Sequence, residues 1–84
     1  MVWVNVDIPW KTCTIHTEPC RYVSYYVHGE GKPQFKGIEE LKRDGGWFSF
    51  HSTKGAVDSC KRDWEPKGFK IKRECNCLYA IGEV

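Results

Sequence analysis

One segment of this chain has a helical period, and it limits the fold more than any other feature. Ala56, Val57, Cys60 and Trp64 fall at i, i+1, i+4 and i+8, a single apolar stripe on a helix that turns ~100° per residue. Ser52 stands just before it, with a hydroxyl that can accept from the first free backbone N–H groups. Pro66 and Gly68 close the element, since proline cannot continue a helix and glycine accepts the left-handed turn at its end. The pattern predicts a helix over about residues 53–64, weakened in its first turn by Gly55.

The remaining apolar runs are short and β-branched. Residues 2–6 and 12–16 read as strands, because branched side chains suit a pleated surface. Residues 21–28 form a third β-rich run, ended by the turn-forming Gly29-Glu30-Gly31-Lys32-Pro33. Residues 37–43 fit a short helix or an irregular link, and Gly45-Gly46 suits a tight turn or bulge before a strand at Trp47-Phe48-Ser49-Phe50. Beyond the helix, Phe69 and Ile71 alternate with Lys70 and Lys72, which predicts a strand with the apolar pair inward. Eighty-four residues hold one small domain. The expectation is a single α+β domain over residues 1–84: a small, mainly antiparallel sheet carrying one helix.

A domain of this size buries only about 60% of its unfolded surface, so an additional staple is plausible. The cysteines at 13, 20, 60, 75 and 77 and the histidines at 16, 28 and 51 supply candidates. Zinc prefers four soft or borderline ligands in a tetrahedron, usually as two close pairs from separate parts of the chain. His16 with Cys20, and Cys75 with Cys77, form such pairs, and joining them closes a loop of more than fifty residues. The expectation is therefore a structural zinc site on His16, Cys20, Cys75 and Cys77 that stabilises the domain. Only one residue separates Cys75 from Cys77, where a zinc knuckle more often has two. At a strand end, i and i+2 side chains share a face and can reach one metal. Cys13 is the alternative ligand. If 12–16 is a strand, however, Cys13 shares its face with Ile15 and His16 points the other way, which makes Cys13 a core residue. Cys60 lies on the helix stripe and is expected buried and unligated. Two other readings remain open: disulfides, against which stand the odd cysteine count and the lack of a secretory segment, and plain reduced thiols.

The strings CTIHTEPCRYV, GGWFSFHSTKGAV and CNC resemble small bacterial and archaeal domains that combine His-x3-Cys, Gly-Gly-Trp-x-x-Phe, an alanine in a helix and Cys-x-x-Cys. More distantly, residues 10–78 are similar to the zinc-binding module of Ada-type DNA-repair proteins. The resemblance implies that His16, Cys20, Cys75 and Cys77 are ligands, with the single residue between Cys75 and Cys77 as a departure. It also implies the company of DNA-handling proteins and, as a minor reading, a zinc-bound thiolate that accepts an alkyl group.

Charge is unevenly placed along the chain. Residues 1–53 hold six basic and six acidic side chains, whereas residues 54–73 hold seven basic and three acidic. Lys54, Lys61, Arg62, Lys67, Lys70, Lys72 and Arg73 form the basic stretch. Aromatic residues are abundant, and neither Trp47 with Phe48 nor Tyr25 with Tyr26 can face one core together on a straight strand. Some aromatic surface is therefore expected outside, where rings among cations can stack on unpaired bases. The leading expectation is a zinc-stabilised nucleic-acid-binding module, DNA before RNA. The rival is a protein-interaction adaptor that uses exposed aromatics. No nucleophile elbow, phosphate-cradling glycine loop or H-E-x-x-H motif is present, and four protein ligands leave zinc no open position, so the expectation is a non-enzyme. The apolar runs are far below the ~20 residues of a membrane span. MVWVNVDIPWK has no signal-peptide pattern. A cytoplasmic domain with no membrane partner is expected.

Overall fold

In β1 (Val2–Asp7) and β2 (Thr12–Thr17), alternate side chains fall on opposite faces of a sheet. The computed structural model describes residues 1–17, 21–29 and 36–74. After β2 come α1 (Arg21–Tyr26), β3 (Lys36–Ile38), β4 (Gly45–Phe50), α2 (Thr53–Asp63), a 3₁₀ turn at Glu65–Lys67, and β5 (Lys70–Glu74). The strands form one five-stranded sheet in the order β3-β4-β1-β2-β5. The α+β class is as expected, but the sheet is mixed. β1 pairs antiparallel with β2 and β4, while β2–β5 and β3–β4 are parallel.

One face of the sheet carries Val2, Val4, Val6, Cys13 and Ile15, which α2 covers with Ala56 and Cys60. Phe48, Phe50, Val57, Trp64 and Ile71 pack around this core. Each fully buried aliphatic side chain here contributes roughly 1.5–3 kcal/mol. The helix begins where the stripe predicts. The Ser52 hydroxyl accepts from the Gly55 backbone N–H at 3.1 Å, and Gly68, at φ 88°, turns the chain into β5.

The other face bears a smaller cluster of Trp3, Val23, Val27 and Trp47, with Ile38 beside it. Here the expectation for residues 21–28 is overturned: Arg21–Tyr26 is a helix. Val23 and Val27 lie four apart, and with Arg21–Tyr26 helical they drop together onto Trp3 and Trp47. That burial outweighs the local β preference of valine and tyrosine. Residues 37–43 are not a helix: they begin within a short strand, β3, which the sequence reading did not anticipate, and continue as an irregular link in which Glu39 adopts φ 58°. Its carboxylate accepts from the Ser49 N–H at 2.7 Å and the Ser49 hydroxyl at 2.6 Å. With a helix on each face, Trp47 and Phe48 both find cover on opposite sides.

Candidate nucleic-acid interface and metal ligands

The face under α1 is only partly covered. Register places Trp47, Asn5, Thr14 and Lys72 in one row across β4, β1, β2 and β5. The next row runs Gly45, Asp7, Thr12 and Lys70. Among the described residues, α1 covers the Trp3 and Trp47 end and leaves the rest of these rows open, in two depressions that share Asn5, Tyr26 and Trp47. One, of about 180 Å³, also meets Thr14, His16 and Tyr22. The other, of about 280 Å³, also meets Lys36 and Asp44. Its floor is tied by Lys36 Nζ, which donates to Asn5 Oδ1 and Asp7 Oδ2, both at 3.0 Å.

Aromatic rings form the walls. Tyr26 lies nearly parallel to Trp47, with centroids 6.2 Å apart, and Tyr22 tilts toward His16 at 5.8 Å. Tyr22, Tyr25 and Tyr26 are exposed, as is Trp10 in the turn between β1 and β2, so exposed aromatic surface is present as expected. Sequence reasoning missed Asn5, Thr14 and Lys36 as site residues. The alternation of Val2-Trp3-Val4-Asn5-Val6-Asp7 carried the signal, since it puts Asn5 and Asp7 on the face opposite the valines.

The basic stretch divides between the two sides of the molecule. Lys70 and Lys72 lie on the open face, in register with Thr12 and Thr14. Arg73, in register with Ile15, follows the pleat to the α2 side. Lys54, Lys61 and Arg62 belong to α2, and Lys67 to the 3₁₀ turn after it. Several of these helix-side cations have partners. Lys54 lies 3.7 Å from Asp58, Arg62 pairs with Asp63 at 3.0 Å, and Lys67 Nζ sits 5.0 Å from the Trp64 ring centroid. Arg62 holds the Asp63 carboxyl below its ordinary range. Among the described residues, Lys61, Lys70, Lys72 and Arg73 form no ion pair.

Of the four expected metal ligands, His16 is described. It sits on β2, 5% exposed, with its ring 5.2 Å from that of Trp47. Burial lowers its pKa to about 4, so the imidazole is neutral at physiological pH, the form that binds metal. Cys20, Cys75 and Cys77 lie outside the described residues. Among the described residues, no cluster of three or more His, Cys, Asp or Glu side chains could hold a metal ion. Cys13 and Cys60 are buried free thiols on the α2 side of the sheet, as expected. A hydrogen bond between them, reinforced by burial, raises the Cys13 pKa well above its ordinary value. His28 packs edge-on against Trp3 at 5.8 Å, and His51 is exposed before α2.

No family model matches the chain, and neither does any curated protein or solved structure. Among the described residues, no helix is long and apolar enough to cross a membrane.

Proposed function

We propose that this domain is a zinc-stabilised nucleic-acid-binding module whose contact surface is the open face of the sheet. The observation that carries the reading is the register of β5 on β2. It sets Lys70 and Lys72 beside Thr12 and Thr14, and Thr14 lines an aromatic-walled groove. Lysines there neutralise phosphate, and the exposed tyrosines offer faces to bases. DNA is favoured over RNA only through the resemblance to DNA-repair modules.

The same register supports the zinc assignment. His16 pairs with Glu74, so Cys75 is the next residue after His16's partner on the neighbouring strand. Cys20 follows His16 by four residues. His16, Cys20, Cys75 and Cys77 would hold the ion, which supplies a structural cross-link between the ends of β2 and β5. A neutral His16 fits that role.

A salt titration tests the contact surface. Counterion release makes log affinity fall with log salt at about 0.9 per phosphate contact on duplex DNA and about 0.7 on single strands. Lys70→Ala with Lys72→Ala weakens binding and flattens that slope, while zinc content is unchanged. Wild-type protein that binds neither DNA nor RNA at low salt excludes the reading.

The adaptor reading has one observation of its own. A groove of about 550 Å³ opens beside α2, with Val4, Val6, Phe48, Phe50 and Trp64 among its lining. An apolar protein contact there would persist at high salt, unlike binding to phosphate.

A further inference from the structure

The cavity of about 180 Å³ on the open face combines features that a phosphate-binding surface alone does not need. Tyr22 and Tyr26 stand along its wall, 44% and 36% exposed. On its floor, the Asn5 carbonyl accepts from Lys36, which turns the amide N–H groups of the same side chain away from that bond. Asn5 thus offers donors, and the Thr14 hydroxyl offers both a donor and an acceptor, with no partner among the described residues. Lys72 stands in register with Thr14, one strand spacing or about 4.8 Å away.

We propose that this groove takes an unpaired strand of nucleic acid, with one base lodged against Tyr22 and Tyr26 over Asn5 and Thr14, and the adjoining phosphates on Lys70 and Lys72. This rests on the nucleic-acid reading above and names its ligand as a single strand. A base inside a duplex keeps both faces stacked and cannot enter a pocket beneath α1, whereas an unpaired base can turn out and lie on an aromatic side chain. The charge arrangement agrees. Asp7 is neutralised by Lys36 at 3.0 Å and Asp44 lies 3.3 Å from Arg43, while Lys70 and Lys72 form no ion pair among the described residues. Beyond the Lys70 end, Trp10 is 80% exposed, a second apolar surface at the tip of the β1–β2 hairpin.

The test titrates the full chain with a short oligothymidylate, with its duplex on oligoadenylate, and with thymidine monophosphate. The single strand binds more tightly than the duplex and than the monophosphate. Tyr22→Leu and Tyr26→Leu each weaken single-strand binding by about tenfold, the loss of one base–aromatic stack, and leave the salt slope unchanged. In the unsubstituted protein, tyrosine ring resonances shift on addition of the single strand, a readout that does not depend on a variant folding. Equal affinity for duplex, or tyrosine variants and resonances that do not respond, overturns the groove assignment. If the double lysine variant still flattens the slope in that case, the phosphate surface stands without it. A monophosphate that binds as tightly as the strand overturns the strand in favour of a free nucleotide. Absence of binding to every probe overturns both readings.

Discussion

His16 is an ionisable side chain with almost no contact with water, 5% exposed. Its pKa falls from an ordinary 6.5 to about 4 in the folded chain because burial disfavours the imidazolium. Between those values the unfolded chain binds the additional proton, so stability increases with pH. The contribution is fully present above about pH 6.5 and is lost as pH falls toward about 4, amounting to up to about 3 kcal/mol. In zinc-free protein, urea midpoints measured from about pH 7 down to about pH 4.5 should fall, and His16→Phe should flatten that dependence. An unchanged pH profile in the variant would show that other groups carry it. Cys13 and Cys60 give a second residue-level expectation. Both thiols are inside the α2 core, so a thiol reagent should label them only as fast as the structure opens. Immediate labelling of Cys60 in the folded protein would contradict its place on the buried face of α2. Cys60 was legible from the stripe it shares with Val57 and Trp64, and Cys13 from its alternation with Ile15. Their hydrogen bond was not, because residues 13 and 60 meet only when α2 lands on β2.

At the scale of elements, two short sequences set where structure begins. Ser52 caps α2 through its bond to the Gly55 N–H, and Ser52→Ala should cost about 1 kcal/mol, against a few tenths for Ser52→Gly. Gly45 opens β4 at φ 124°, and a Cβ there would run into the Val6 carbonyl oxygen. Backbone strain and overpacking then act together, so Gly45→Ala should lower stability by about 3 kcal/mol or more. Chemical denaturation reads both variants as a lower midpoint at an unchanged m-value. A Gly45→Ala midpoint no lower than that of Ser52→Ala would refute the close approach of β4 to β1. The glycine pair announced a special backbone from sequence alone. That it marks a strand pressed against its neighbour, rather than a free turn, followed from the β1–β4 register.

For the whole molecule, the decisive pairing is the parallel one between β2 and β5, which joins residues 12–16 to residues 70–74. A zinc ion on His16, Cys20, Cys75 and Cys77 would clamp the end of that pair. Reduced, freshly prepared protein should then carry one zinc per chain, and a chelator should both remove it and lower the thermal midpoint. Protein without stoichiometric metal would remove the clamp and leave the sheet to stand on its core. If zinc is present, retention by His16→Ala and loss from Cys13→Ser would reassign the ligand. The two sides of the sheet also make separable predictions. Lys54→Ala with Lys61→Ala alters the α2 side and should leave the salt slope of single-strand binding intact, whereas Lys70→Ala with Lys72→Ala should flatten it.

Local sequence was enough to read α2, its cap and its buried stripe, the alternation of β1, β2 and β5, and the inward-facing Cys13 and Cys60. Each of these is a period or a cap written within a dozen neighbouring residues. Tertiary structure alone decided that Arg21–Tyr26 is helical, that β3 and β5 run parallel to their partners, and that the basic stretch divides between two faces. Those outcomes depend on surfaces far apart in the chain: Val23 of α1, and Val27 in the turn that follows it, pack onto Trp3 and Trp47. Lys72 stands beside Thr14, which lines the groove, because β5 crosses back to β2, and no local propensity records the gain from contacts that exist only once the sheet has assembled.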